Sequence, residues 1–138
     1  NPAEAPSIPG LEIDSKTPVV VWNDAISQEA FVRMSHGKEQ PPRVDAAEWG
    51  DISQSVSSLA RIRPQPAKVV IVAKGWEPPL LSFRDLVAAV RAAIGVEAII
   101  VVVPLGEGGE IDPADRQIWS QALARHADPL LYVAGDRQ

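Results

Sequence analysis

The residues of this chain able to do chemistry gather in three short stretches: Asn23-Asp24, Lys74-Gly75-Trp76-Glu77, and Gly106-Glu107-Gly108-Gly109-Glu110. Together they hold carboxylates, one ammonium, one indole and a glycine-rich backbone. Carboxylates beside an ammonium suit acid and base work or the ligation of a cation. An indole suits stacking on a planar ligand, and glycines let backbone N–H groups approach an anion. Each group also has a plainer role, and the plainer role is the stronger one. Asp24 suits a helix cap, since Asn or Asp at a strand-to-helix turn accepts from free N–H groups. Trp76, flanked by glycine and prolines, suits packing over a sheet end or contact with another protein. Lys74 reads as a solvated charge, and Glu107 and Glu110 as solvated turn residues. His36 and His126 are too few and too far apart for a metal cluster, so both read as structural, and Trp22, Trp49 and Trp119 read as packing.

The elements that must position these stretches follow from the pattern of apolar residues. Val69-Val-Ile-Val-Ala73 and Ala98-Ile-Ile-Val-Val-Val103 are continuous apolar runs on either side of an amphipathic segment. Runs that do not alternate with polar residues belong to strands buried on both faces, hence to a parallel sheet covered by helices. A first strand is expected at Pro18–Trp22, a brief edge strand at Arg43-Val-Asp45, and a last strand at Leu130–Ala134. Helices are expected from about Ala25 to Met34 or Ser35, with Asn23, Asp24 or Ser27 as cap, and from Asp51 to Arg63, where Ile52, Val56, Leu59 and Ile62 recur at helical spacing. A third should start at Ser82, with Asp85 completing a variant capping box, bury Phe83, Leu86, Val87, Val90 and Ile94, and close at Gly95. A fourth should start at Asp112-Pro113 and bury Ile118, Trp119, Ala122 and Leu123, with His126 at the end of that face. The expectation is an α/β domain, a three-layer Rossmann-like sandwich with a mostly parallel sheet of about four or five strands. In such sheets ligands bind beyond the carboxyl ends of the strands, and the three stretches above all fall there.

Bulk properties narrow the function. The 138 residues fit one domain, here 18–138, preceded by a proline-rich arm at 1–17 that reads as a linker. A net charge of -5 spread along the chain argues against a nucleic-acid partner, and the absence of cysteine excludes disulfides and thiolate chemistry. There is no apolar run of roughly 18 residues and so no membrane span in the sequence itself. A phosphate cradle needs glycine in the turn after the first strand, but Trp22-Asn-Asp-Ala-Ile-Ser-Gln28 has neither glycine nor lysine, and Asp24 would repel a phosphate.

Two resemblances attach to these residues. Lys68-Val-Val-Ile-Val-Ala-Lys-Gly-Trp-Glu-Pro-Pro79, then a helix, then Ala98-Ile-Ile-Val-Val-Val-Pro-Leu-Gly106 is similar, as topology over roughly residues 18 to 134, to the latter half of a P-loop GTPase core. In that family the loop after the strand matching 98–103 carries Asn-Lys-x-Asp for guanine. Here Pro104-Leu-Gly-Glu107 stands instead, and no GTPase functional residue transfers. Lys74-Gly-Trp-Glu-Pro-Pro79 with its flanking strand and helix also resembles the soluble C-terminal region of an uncharacterised bacterial membrane-protein family, a domain of unknown function whose members are commonly encoded beside a GTPase-like protein. That resemblance implies a cytoplasmic domain tethered to the inner membrane by segments upstream of Asn1, and a protein partner, GTPase-like, in place of a substrate.

The functional expectation is a non-catalytic interaction or regulatory domain on a degenerate nucleotide-binding-type fold, with no cofactor and with Trp76, Glu77, Pro78 and Pro79 as the contact. The alternative is an enzyme handling a nucleotide or small molecule in a cleft built from Asn23, Asp24, Lys74, Gly75, Gly106 and Glu107, with Asp24, Lys74 and Glu107 as acid, base or metal-coordinating groups.

Overall fold

A computed structural model of the chain describes residues 16–22, 25–34, 40–47, 52–74, 80–105 and 112–134. Five strands, β1 (Val19–Trp22), β2 (Arg43–Ala46), β3 (Lys68–Lys74), β4 (Ile99–Leu105) and β5 (Leu131–Val133), alternate with helices α1 (Gln28–Met34), α2 (Ile52–Val56), α3 (Leu80–Ile94) and α4 (Pro113–Leu123). The strands form one all-parallel sheet in the order β2-β1-β3-β4-β5. This is the three-layer α/β sandwich that the continuous apolar runs require, because each central strand must be covered on both faces.

The strand order dictates which helix covers which face. A right-handed crossover from β1 outward to β2 puts its helix on one side, and the crossovers that run the other way, to β3, β4 and β5, put theirs on the opposite side. Val20, Trp22, Val69, Ile71, Ala73, Ile100 and Val102 accordingly pack with residues of α2, α3 and α4, while Val19, Val21, Val70, Val72, Val101 and Val103 pack with Ile26 and Phe31 on the α1 side. No helix among the described residues is long and apolar enough to cross a membrane.

Local signals hold at most element ends. Gly95 closes α3 at φ +102°, a conformation that a residue with a Cβ adopts only under strain, and its N–H donates to the Arg91 carbonyl at 2.8 Å. Asp112 caps α4, accepting from the N–H groups of Ala114 (2.8 Å) and Asp115 (3.3 Å). The brief strand expected at Arg43–Asp45 is β2, one residue longer and paired with β1. On it the Arg43 guanidinium makes a bidentate pair with Asp45, donates to the Ile26 carbonyl at 3.3 Å and lies 5.1 Å from the centre of the Phe31 ring. Its Nη1 is buried with no partner.

Elsewhere the boundaries move, each for a physical reason. α1 begins at Gln28, three residues later than expected, because Ser27 holds the cap position: its Oγ accepts from the Ala30 N–H at 3.1 Å. The helix expected over 51–63 is α2 followed by a 3-10 segment at Ser57–Arg61. Ser57 Oγ donates to the Gln54 carbonyl at 2.7 Å, the side-chain competition that makes serine-rich helices tighten. α3 starts at Leu80, two residues before Ser82, so Ser82 is not its cap; Leu80 and Leu81 are good helix formers that extend it backwards. Ile118 is 36% exposed and does not belong to the inner face of α4, whereas Trp119, Ala122 and Leu123 do. β4 runs through Pro104 to Leu105, past the expected end at Val103. Ile100 and Val102 turn their backbone groups toward β5, so Pro104 by alternation does the same at a level where β5 has ended, a position at which a strand tolerates proline. The arm expected at 1–17 lies outside the described residues, apart from Lys16 and Thr17.

Candidate functional site

Because every strand is parallel, all carboxyl ends lie along one edge of the sheet. β1, β3 and β4 are neighbours there, with Val21 opposite Val72 and Lys74 opposite Leu105. The ends of the three strands that the stretches 23–24, 75–79 and 106–111 follow in sequence therefore lie side by side. Between β1 and β3 the order reverses, the connection that leaves β1 passing to the α1 face and the one that leaves β3 to the α3 face, which makes this the switch point where α/β sheets commonly hold ligands. Of the candidate residues, Asn23, Asp24, Gly75, Trp76, Glu77, Pro78, Pro79, Gly106 and Glu107 lie outside the described residues, as do His36 and Trp49; only Lys74 lies inside.

Lys74 ends β3 and is exposed. Side chains alternate along a strand, and Ala73 faces α3 while Val72 faces α1, so Lys74 falls on the α1 side with its register partner Leu105. Trp22, the last residue of β1, falls on the other side. Its ring packs on Phe83 (centroids 5.3 Å apart), which packs in turn edge-on to Trp119 (5.0 Å) and His126 (5.9 Å). Trp22 is 3% exposed, and its Nε1 has no hydrogen-bond partner. The sequence reading of Trp22 and Trp119 as packing residues is correct. What it missed is the unpaired indole N–H, for which the available signal was an aromatic donor at the final position of the strand beside the reversal.

Burial shifts two of the described titratable groups. His126 is held below the ordinary imidazole value, first by loss of water against the aromatic cluster and then by the Arg84 charge, with Asp128 acting weakly in the other direction. Asp115, in the first turn of α4, is raised by desolvation and by the neighbouring Asp112. Among the described residues no three potential metal ligands come together. Cavities lined by described residues open away from the carboxyl edge between β1 and β3. One, of about 410 Å³, runs between β5 and the end of α4, along Ser120, Leu123, Asp128 and Tyr132. Another, of about 420 Å³, lies at the amino edge, along Gln65, Ile94, Gly95 and Ala98.

The fold is that of a doubly wound parallel α/β domain whose topological switch point lies between β1 and β3. Within that class the chain belongs to the DUF2868 family, proteins of unknown function, whose family model matches residues 4–128. No curated protein and no solved structure matches the chain.

Proposed function

We propose that this is a non-catalytic protein-interaction or regulatory domain on a degenerate nucleotide-binding-type fold, the cytoplasmic part of a protein anchored in the inner membrane by segments outside this chain. The supporting observation is the strand order: β3, which the stretch Trp76-Glu77-Pro78-Pro79 follows in sequence, ends next to β1 at the switch point. A stretch stiffened by two prolines loses little freedom on binding, and tryptophan is enriched among residues that dominate interfaces. The partner is a protein, of the GTPase-like kind that accompanies the family the sequence resembles. Calorimetry of the 138-residue chain against that partner tests the reading. Trp76→Ala abolishes the heat of binding while Asp24→Ala and Lys74→Ala preserve it; loss through the latter pair alone overturns it.

The exposed ammonium of Lys74 at the same edge supports a second reading, an enzyme handling a nucleotide or small molecule with Asp24, Lys74 and Glu107. A thermal-shift screen against nucleotides with Mg²⁺ separates the two, since a ligand at about a hundred times its dissociation constant adds ~2.7 kcal/mol of stability.

A further inference from the structure

The two faces of the sheet are covered unequally. On one, Val20, Ile71 and Val102 pack with α2, α3 and α4; on the other, α1 is the only helix among the described residues, and it has seven residues. α1 lies over β1 and β2, because the Arg43 guanidinium of β2 stacks on Phe31 and donates to the Ile26 carbonyl. A helix of that length makes a cover about 10 Å long and about 10–12 Å wide, enough for two strands. β4 and β5 stand about 10 and 14 Å from β1, at about 4.8 Å per strand. Yet on this face Val101 and Val103 of β4, and Ala134 just after β5, are 2%, 0% and 2% exposed. A valine on a bare sheet face keeps water on its outer methyls, so the cover of these residues comes from outside the described ones.

We propose that residues 1–15 supply this cover, as an extended strap laid across β3, β4 and β5 on the α1 face with Leu11 and Ile13 turned to the sheet. Length singles them out. The other stretches outside the described residues have two to six residues, and those after β3 and β4 lead to α3 and α4 on the opposite face. Fifteen residues span up to about 50 Å, and these lead into β1 at the amino edge, next to β3, so the seat is within reach. The pattern agrees. Leu11-Glu12-Ile13-Asp14 alternates apolar and acidic residues, as an extended segment with one buried face does, and Pro2, Pro6 and Pro9 disfavour a helix. Lys68, at the amino end of β3, falls on the α1 face by alternation and offers a positive charge to the acidic side of the strap. The match to the family model begins at residue 4, so the strap lies within the matched region. The stretch that reads as a linker thus also closes the core, and its removal uncovers an apolar face. This stands apart from the protein contact proposed at 76–79.

The test uses the intact 138-residue chain with labelled methyl groups, Leu11→Ile and Ile13→Val identifying the two strap signals. Nuclear Overhauser contacts are expected from Leu11 and Ile13 to the methyls of Val70, Val101 or Val103. Their absence overturns the proposal, and so do contacts to these valines from residues 135–138 in their place. A mixture of labelled and unlabelled chains shows whose strap is seated; contacts found only between chains assign the seat to a second copy and overturn the strap within one chain. Replacing Leu11 and Ile13 together by serine lowers the melting temperature by about 10 °C or more and raises the fluorescence of a dye for apolar surface severalfold. Glu12→Ser, on the outer side, shifts melting by less than about 2 °C. Equal effects of the two variants, or none from either, overturn the proposal. Trp76→Ala leaves the strap contacts unchanged, so failure here and failure of the protein contact are read separately.

Discussion

The two edges of the sheet are built on different terms. At the amino edge the described connections are tied by specific polar contacts: the Arg91 guanidinium makes a bidentate pair with Asp128 at 3.0 Å and donates to the carbonyls of Ala98 and Gly95, while Gln65 donates to the Ile94 carbonyl. One side chain thereby joins the end of α3 to the starts of β4 and β5. At the carboxyl edge, where Ser27 and Asp112 cap α1 and α4, stand Lys74, an exposed charge, and Trp22, a buried donor without an acceptor. Among the described residues each edge leaves a buried donor unpaired, Arg43 Nη1 at the amino end of β2 and Trp22 Nε1 at the carboxyl end of β1, so what separates the edges is the buried Arg91–Asp128 pair.

The contrast is sharpest for Arg91. Its side chain and that of Asp128 are 12% and 21% exposed, so Arg91→Ala strands a largely buried carboxylate and frees two carbonyls. It should lower the unfolding free energy by about 2–3 kcal/mol in chemical denaturation. Gly95→Ala comes next. A Cβ there meets only Gln65 Nε2 at 3.7 Å, an ordinary contact, so the cost is that of placing alanine at φ +102°, about 1–2 kcal/mol by the same measurement.

His126 tests the aromatic cluster between the edges. Its folded pKa lies below 6.5, so the unfolded chain binds the proton more tightly. Stability is therefore fully present above pH 6.5 and declines as the pH falls from there toward the folded value. His126→Gln should flatten this part of the curve of melting temperature against pH; an unchanged slope would place the titration elsewhere. Lys74→Ala is the smallest effect, within about 0.5 kcal/mol, because an exposed strand-end charge contributes little to the fold. A loss as large as that of Arg91→Ala would erase the distinction between the edges.

Much of this arrangement is written locally. The runs at 69–73 and 98–103 announce buried parallel strands, and Gly95 and Asp112-Pro113 mark helix ends, because each depends on neighbouring residues alone. The carboxyl edge was legible for the same reason, since chemistry-bearing residues directly follow apolar runs. Tertiary facts were not. That Trp22 and Lys74 fall on opposite faces depends on strand pairing, and the unpaired indole depends on Phe83, far along the chain, packing over it. Ile118 fits the helical period of α4 but sits at the margin of its buried arc, where period alone does not separate inside from outside.

The Arg43–Asp45 pair on β2 bears on how the molecule behaves at high concentration. β2 is an outer strand, and an outer strand offers unpaired backbone groups to any extended chain that meets it. A second strand laid along β2 would take more water from a guanidinium that already has one buried nitrogen without a partner, and would crowd a carboxylate that is 59% exposed. The charged pair thus acts as a stop on lateral growth of the sheet, and the double substitution Arg43→Val with Asp45→Thr would turn this flank into a seed for aggregation.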